Sequence, residues 1–305
     1  MKKIFAIVIF FVIMVLAAGF FVGNFFVTFA LEKGEDGTPP KAVANIADPN
    51  LTAPNAPNFS KEDWQITSAD NLNLYAEYFS PTEKSHRWAI LVHGYGRDRT
   101  FAYDYAEEYL KKNYNVLIPD LRAAGKSEGK FLTMGFLESR DIQLWAKKIL
   151  ERDNQAKIIL HGVSMGAATV LMASELEIEN LVAVVADCGY TSAYEMFTAQ
   201  LEEIFGLPEY PIMPAVDVVS KIKTGVAISE AAPISAVPNS KVPTLFIHGT
   251  ADKLVPYSMM EKLFAASNAP IKETFTVEGA GHADAKNANP EIYFEKVFDF
   301  LNKFL

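Results

Sequence analysis

The chain has 305 residues, of which 37 are acidic and 28 are basic, so its formal net charge is −9. That length is enough for one large domain with its own core and an additional segment. The acidic balance and the lack of any basic cluster in the sequence argue against a nucleic-acid partner. The single cysteine, Cys188, excludes an intramolecular disulfide and a cysteine-based zinc site.

The first 33 residues form a segment of their own. Two lysines are followed by residues 4–31, which contain no charged side chain. About 20 apolar residues cross a bilayer, so residues 1–33 are predicted to be a transmembrane helix retained as a signal anchor. A cleaved signal peptide is the alternative, but its apolar region is usually only about 7–15 residues long. Because the lysines precede the apolar run and acidic residues follow it, the positive-inside rule predicts a single-pass protein of the cell membrane, with its catalytic domain on the extracytoplasmic side.

Two further features concern this N-terminal part. Gly19 and Gly23 form a G-x-x-x-G pattern, which either packs two anchor helices together or is no more than two small residues in an apolar helix. Residues 34–60 are rich in Pro, Asn, Ala and Asp and show no periodicity. They are predicted to be a semi-extended linker, and residues 61–305 are predicted to be the folded domain.

Within that domain, short apolar segments alternate with helical patterns. The strands are predicted at residues 64–67, 72–79, 88–92, 115–119, 158–160, 181–186, 244–248 and 272–277. The helices between and after them are predicted at residues 100–112, 134–152, 167–173, 258–267 and 291–305. This alternation predicts an α/β fold with about eight strands, mostly parallel, and with helices on both faces of the sheet. The first two strands are expected to form an antiparallel pair at one edge.

One interval does not alternate. Residues 189–237 contain helical patches between several prolines and carry many apolar side chains. Because long insertions in compact domains are usually functional, we interpret this interval as a small helical cap over the site. The alternative is an ordinary crossover helix followed by a long loop.

The sequence IILHGVSMG, residues 158–166, joins a buried strand to a helix of small residues through a glycine-flanked turn. Ser164 lies at the tip of that turn, where its hydroxyl is exposed at a helix N-terminus that favours negative charge. Gly162 and Gly166 are needed because side chains there would collide with the neighbouring strand and helix. Ser164 is therefore the predicted nucleophile, and the alternative is a tight turn with an ordinary capping serine.

A serine nucleophile needs a base, and a histidine base needs a carboxylate that fixes its tautomer. The chain has five histidines, and four of them lie within strands, in strand-end His-Gly pairs or in a polar loop. His282 follows the last strand in a glycine-flanked loop and is the predicted base. Asp252, after the seventh predicted strand, is the first choice for the carboxylate. Asp187, after the sixth predicted strand, is the alternative. Whichever of the two aspartates does not contact the histidine is expected to be a turn residue.

The tetrahedral oxyanion of acyl transfer needs two backbone N–H donors, which form the oxyanion hole. The N–H of Met165, at the start of the helix after Ser164, is predicted to be one. The second is expected in the loop after the strand that ends at residue 92. Tyr95 is our choice there, because Gly94 and Gly96 on either side let the backbone approach the substrate closely.

Four motifs in this order resemble the α/β-hydrolase superfamily: HGYG at 93–96, GVSMGAA at 162–168, HGTADKLVP at 248–256 and GAGH at 279–282. They are most similar to its monoacylglycerol-lipase-like and serine-aminopeptidase-like branch, which includes membrane-anchored bacterial members. Relatives usually read D-x-R-G-H-G-x-S after the fourth strand, whereas this chain has Ala123 and Ala124 in place of Gly-His. The resemblance implies an α/β-hydrolase fold, the chain order Ser, Asp, His for the triad, an acyl-enzyme intermediate and no cofactor.

The leading hypothesis is a serine hydrolase that cleaves an ester with a small or medium acyl chain. Its partners are expected to be a small-molecule acyl substrate and, through the N-terminal helix, the membrane. A peptidase or amidase with the same triad is the second hypothesis, for which Glu202, Glu203 or Glu209 in the cap would supply an anionic pocket. A third hypothesis, of another class, is a catalytically silent, membrane-anchored binding protein.

Overall fold

The computed structural model describes residues 2–45 and 54–305, so residues 46–53 of the predicted linker lie outside the described part of the chain. Eight strands form one sheet in the order β1-β2-β4-β3-β5-β6-β7-β8. They are β1 (Ser60–Thr67), β2 (Asn73–Ser80), β3 (Arg87–Val92), β4 (Asn115–Pro119), β5 (Lys157–Val163), β6 (Leu181–Asp187), β7 (Thr244–Gly249) and β8 (Lys272–Val277). β2 pairs antiparallel with both β1 and β4, and all other neighbours are parallel, which confirms the predicted sheet.

Ten α-helices accompany the sheet in the described residues. They are α1 (Lys2–Leu31), α2 (Tyr103–Lys111), α3 (Phe136–Arg152), α4 (Met165–Ala173), α5 (Ala193–Phe205), α6 (Glu209–Thr224), α7 (Pro233–Ala236), α8 (Tyr257–Ala266), α9 (Ala285–Ala288) and α10 (Pro290–Leu301). The predicted capping interval forms α5, α6 and α7. α6 contains a kink at Tyr210, whose backbone is not helical (φ −97°, ψ 134°), and continues through Pro214.

The sheet is covered on both faces, and each face has its own apolar cluster. Helices α3, α4 and α8 pack on one face with the inward side chains Trp145, Leu171 and Leu263. Helices α2 and α10 pack on the other, where Tyr109 and Val297 are fully buried. Strands buried on both faces read as continuous apolar runs, which is why β3 and β5 were recognisable from the sequence. The carboxyl ends of the parallel strands share one edge, and the loops there form the site.

α1 belongs to the same packing unit as the domain. Its first half, through Ala18, is exposed, whereas its last turns pack on α6 and bury Val27 and Leu31. A Cβ atom on Gly23 would lie 2.5 Å from the carbonyl oxygen of Ala215, so only glycine permits this approach of the two helices. The second glycine of the G-x-x-x-G pattern therefore serves packing within the chain.

The chain that leaves α1 is fastened to the domain by backbone hydrogen bonds. The N–H of Leu132 donates to the carbonyl of Leu31 at 2.9 Å, and the N–H of Lys33 donates to the carbonyl of Lys130 at 2.8 Å. α1 is also long and apolar enough to cross a membrane, with a mean hydropathy of 3.1 in its most apolar window. One helix thus combines a long, mostly exposed apolar part with last turns that are docked on the domain.

Candidate active site

Ser164 occupies a strained turn between β5 and α4. Its φ is 58° and its ψ is −118°, in a region that side-chain-bearing residues rarely adopt. A Cβ atom on Gly162 would lie 2.1 Å from the carbonyl oxygen of Gly166, and one on Gly166 would lie 2.1 Å from that of Val92. Both glycines are therefore required sterically, as the sequence predicts, and they let the turn present the Ser164 hydroxyl at the N-terminus of α4.

The predicted nucleophile Ser164, base His282 and carboxylate Asp252 lie together at this edge of the sheet. Nε2 of His282 lies 2.8 Å from Oγ of Ser164, and Nδ1 of His282 lies 2.7 Å from Oδ2 of Asp252. Asp252 follows β7 and His282 follows β8, so each comes from the loop after a different strand. With Nδ1 donating to the carboxylate, Nε2 is left as the acceptor for the serine proton. This geometry allows a proton to move from the serine to the imidazole.

The carboxylate of Asp252 is almost completely shielded from solvent and is surrounded by donors. Its Oδ1 accepts the backbone N–H groups of Leu254 at 2.9 Å and Val255 at 2.8 Å. Burial alone would raise the pKa of Asp252, but hydrogen bonds from His248 and His282 outweigh it and hold this pKa at about 2. Asp252 is therefore ionised throughout the neutral range, which stabilises a positive charge on His282.

His248, in the His-Gly pair at the end of β7, also contacts Asp252. Nε2 of His248 lies 3.2 Å from Oδ2 of Asp252, the same oxygen that His282 contacts, and 2.8 Å from the carbonyl of Val255. The spacing HGTAD, in which a histidine that ends a strand precedes an aspartate by four residues, was the available signal. It was missed because nothing in the sequence shows that the turn folds back on the strand.

The alternative carboxylate, Asp187, lies elsewhere in the network. Its Oδ2 accepts the Tyr293 hydroxyl at 2.8 Å, and its backbone carbonyl accepts the N–H of Ser164 at 2.8 Å. Burial raises the pKa of Asp187 to about 6. Asp187 thus positions the Ser164 turn through its backbone, while His282 contacts Asp252.

The remaining histidines have structural surroundings. His93 is buried, with Nδ1 2.9 Å from the carbonyl of Gly94 and Nε2 accepting the N–H of Leu121 at 3.1 Å, so it fixes the loop after β3. His161 lies between two tyrosine hydroxyls, and burial lowers its pKa to about 3. His86 directly precedes β3, at the end of the strand away from the site, and contacts Asp153 at 2.8 Å.

The two predicted oxyanion donors are both near Ser164. The N–H of Met165 belongs to the first turn of α4, and Tyr95 follows Gly94, whose added Cβ would lie 3.3 Å from the Cβ of Ser164. Neither N–H donates to an acceptor within the described residues. Free N–H groups at a helix N-terminus and in an adjacent loop suit an anionic oxygen.

A cavity of about 1130 Å³ opens over Ser164 and His282. Its walls come from the loop after β3, the loop with Ala123 and Ala124, the cap helices α5 and α6, and the last turns of α1.

A possible metal site lies beside this cavity, where Cys188, Asp252 and His282 offer ligand atoms within 4.8 Å of one another. Because the imidazole and the carboxylate already bond each other, and burial raises the pKa of the Cys188 thiol well above its usual value, these groups suit proton transfer better than metal binding.

The sheet order, the strained serine turn and the cavity over it are those of an α/β-hydrolase, and the protein is a serine hydrolase. The chain belongs to the prolyl oligopeptidase family, whose sequence profile matches residues 101–305.

Curated relatives share most of the chain's length. It is 28% identical over 244 residues to the uncharacterized protein YqkD of Bacillus subtilis, covering 79% of each chain. It is 23% identical over 270 residues to Protein bem46 of Schizosaccharomyces pombe, covering 86% of this chain and 83% of that protein.

Solved structures confirm the fold. The esterase Pf2001 of Pyrococcus furiosus superposes with a TM-score of 0.69 at 24% identity, over 85% of this chain and 98% of the esterase. The acylaminoacyl peptidase of Pyrococcus horikoshii gives a TM-score of 0.62 at 17% identity, over 82% of this chain but 42% of the peptidase.

Proposed function

We propose that the protein is a membrane-anchored serine esterase whose triad is Ser164, His282 and Asp252. The observation that carries the proposal is the continuous chain of contacts from Oγ of Ser164 through His282 to Asp252, at 2.8 and 2.7 Å. An activated nucleophile is expected to have this arrangement, with the base within hydrogen-bond reach and oriented by a third group.

The reaction follows from these contacts. His282 Nε2 accepts the Ser164 proton as Oγ attacks the substrate carbonyl, and Asp252 stabilises the imidazolium. The N–H groups of Met165 and Tyr95 hold the oxyanion, each contributing about 2.7–4 kcal/mol to the transition state. His282 then protonates the leaving alkoxide, and a water molecule activated by the same nitrogen hydrolyses the acyl-enzyme.

The membrane placement belongs to the same proposal. α1, within residues 1–33, is retained as an anchor, residues 34–60 connect it to the catalytic domain at 61–305, and the domain lies on the extracytoplasmic side. The exposed apolar first half of α1 supports its role as an anchor. The two lysines that precede its apolar run support the orientation.

A peptidase or amidase is the second candidate. The family assignment favours it, and so does Glu203, which lies in the wall of the cavity where it can meet a substrate amine. A matched pair of substrates with the same acyl group, one an ester and one an amide, separates the two candidates by the ratio of their kcat/KM values.

The first test is covalent labelling of the full-length chain in detergent micelles with a fluorophosphonate, located by intact mass and peptide mapping. One adduct is expected, on Ser164, and it disappears in Ser164→Ala. His282→Ala is expected to slow labelling at least about 100-fold, the lower end of what a positioned acid-base group contributes. His86→Ala, which removes a histidine outside the site, is expected to react as the wild type does. An adduct that persists in Ser164→Ala would refute the assignment.

A further inference from the structure

The cavity over Ser164 is bounded on one side by the N-terminal helix. Phe26, Phe29 and Ala30 of α1 line it, together with Phe205 of α5. The Phe205 ring packs edge-on against Phe26 and Phe29, with centroid distances of 5.5 and 5.9 Å. We propose that α1 forms one wall of the acyl-binding pocket and that this pocket takes the long acyl chain of an ester dissolved in the lipid bilayer. This inference rests on the esterase function proposed above.

Specific polar contacts hold α1 in this position. The Tyr95 hydroxyl donates to the carbonyl oxygen of Ala30 at 2.6 Å. The last four carbonyls of a helix lack partners within it, so this bond satisfies one of them and joins α1 to the predicted oxyanion loop. This bond therefore connects the cavity wall formed by α1 to the predicted oxyanion loop.

A second set of contacts joins α1 to the cap. Lys223 of α6 reaches Asn24 at 2.9 Å and Thr28 at 2.7 Å, and it pairs with Glu32 at 3.3 Å. Glu32 also pairs with Lys130 at 3.0 Å. Asn24 and Thr28, one turn apart in the apolar α1, and Glu32, directly after its end, thus fix the position of the helix against α6.

The length of α1 brings the cavity close to the membrane. Thirty residues at about 1.5 Å each give about 45 Å, whereas the hydrocarbon core is about 30 Å thick. About ten residues therefore project from the bilayer, and these are the turns that dock on α6 and line the cavity. The cavity wall then begins within about 10 Å of the membrane boundary.

The neighbouring cap surface is also apolar. Val218 and Ile222, one turn apart on α6, are 60% and 66% exposed, and Ile204, Phe205 and Leu207 at the end of α5 are exposed as well. Exposed apolar side chains beside a membrane-compatible helix fit contact with lipid. An ester can then pass from the bilayer into the cavity without crossing water.

The size and chemistry of the cavity favour a long chain. Its volume of about 1130 Å³ exceeds the roughly 300–1,000 Å³ of common small-molecule sites. Each buried methylene raises affinity about four-fold, so an aromatic wall selects long chains over short ones. This proposal departs from the sequence-based expectation of a small or medium acyl chain, which did not include α1 as part of the pocket.

The test uses the full-length chain in phosphatidylcholine nanodiscs and compares kcat/KM for p-nitrophenyl palmitate and p-nitrophenyl butyrate. Phe29→Ala removes part of the wall, and the palmitate-to-butyrate ratio is expected to fall about ten-fold. Phe29→Leu keeps an apolar wall and is expected to stay within two-fold of the wild type. Phe21→Ala is the matched control, because Phe21 lies two turns earlier on α1, is 71% exposed and is not in the cavity wall.

A second arm tests delivery from the bilayer. A long-chain ester placed in the enzyme's own nanodisc is expected to be hydrolysed at least ten-fold faster than the same ester in separate, enzyme-free nanodiscs. Equal rates would overturn the membrane route.

The outcomes separate the two proposals. An unchanged palmitate-to-butyrate ratio in Phe29→Ala, with butyrate still hydrolysed, would overturn the role of α1 and leave the esterase function standing. Equal loss of both substrates in Phe29→Ala would assign Phe29 to folding alone and would also overturn it. If the wild type hydrolyses neither ester and Ser164 is not labelled, the esterase function fails and this inference fails with it.

Discussion

Nε2 of His248 lies 3.2 Å from the same carboxylate oxygen of Asp252 that His282 contacts at 2.7 Å. Two imidazoles therefore share one acceptor, while the other oxygen of Asp252 takes two backbone N–H groups. Both oxygens of the carboxylate thus have polar partners, so His282 lies against a negative charge that is fixed in position. If the proposed triad is correct, His248 is expected to position it through Asp252.

Removal of the His248 donor is expected to raise the pKa of Asp252 and to loosen its hold on His282. His248→Leu should lower kcat/KM about ten-fold at pH 7, and the loss should grow below pH 5 as Asp252 begins to protonate. His248→Gln, which can keep a side-chain N–H near the Nε2 position, should recover most of the activity. A pH profile of kcat/KM from 4 to 9 measures both effects. Equal losses in both variants with an unchanged profile would reduce His248 to packing.

Asp252 should make the fold sensitive to strong acid. Its folded-state pKa of about 2 lies below the usual value of 3.8, so the ionised form stabilises the native state above about pH 4. That contribution, about 2 kcal/mol, is lost as the pH falls through 2. Asp252→Asn should therefore be less stable than wild type at pH 7 by about this amount, and the gap should close between pH 4 and 2. Urea unfolding of the detergent-solubilised chain measures it, and a constant gap would contradict the assignment.

Asp187 should have the opposite effect. Its folded-state pKa of about 6 lies above 3.8, so the native state favours the neutral acid, and the benefit present below about pH 4 is lost as the pH rises through 6. The wild-type free energy of unfolding should carry a term of about 3 kcal/mol that falls between pH 4 and 7, and Asp187→Asn should lack it. The quantity to compare is the slope of the unfolding free energy against pH between 4 and 7. Asp252→Asn is the control, because the Asp252 contribution changes only below about pH 4 and this variant should keep the wild-type slope. If the unfolding free energy of the wild type and of Asp187→Asn had the same slope against pH, Asp187 would be ionised in both the native and the unfolded state over this range.

The serine turn should not tolerate a methyl group. Gly162→Ala would place Cβ 2.1 Å from a backbone oxygen, so β5 and α4 must separate, and we expect loss of at least about 3 kcal/mol of stability and of Ser164 labelling. Gly281→Ala, beside His282, is the matched control because its Cβ would meet no atom within 4 Å. Thermal unfolding and fluorophosphonate labelling report both variants. Normal labelling of Gly162→Ala would mean that the turn relaxes without cost.

Loss of the hydroxyl that joins the loop after β3 to α1 should loosen the end of that helix. Tyr95→Phe leaves the Ala30 carbonyl without its donor, at a cost of about 1 kcal/mol. Amide hydrogen exchange in residues 28–33 should then be about five-fold faster than in the wild type. Tyr210→Phe alters an exposed tyrosine of the cap and should leave exchange there unchanged. Equal protection in both variants would show that the bond does not hold the helix.

Local patterns determined much of this protein. The apolar runs of β3 to β7 read as buried strands because each is covered on both faces, and the glycines around Ser164 marked the sharp turn because no other residue fits there. The strand-end positions of Ser164, Asp252 and His282 then followed, since parallel strands place their carboxyl ends at one edge. The apolar length of α1 likewise needed no tertiary information.

Only the tertiary structure decided which groups touch. His282 and Ser164 are 118 residues apart, and Lys223 and Thr28 are 195 apart, so neither contact leaves a trace in local periodicity. The choice of Asp252 over Asp187 as the contact of His282 and the second donor from His248 depend on how two loops fold against each other. The docking of α1 on α6, with its phenylalanines in the cavity wall, depends on side-chain complementarity between distant segments. Sequence patterns record which face of an element is buried, whereas the partner that buries it is fixed by packing.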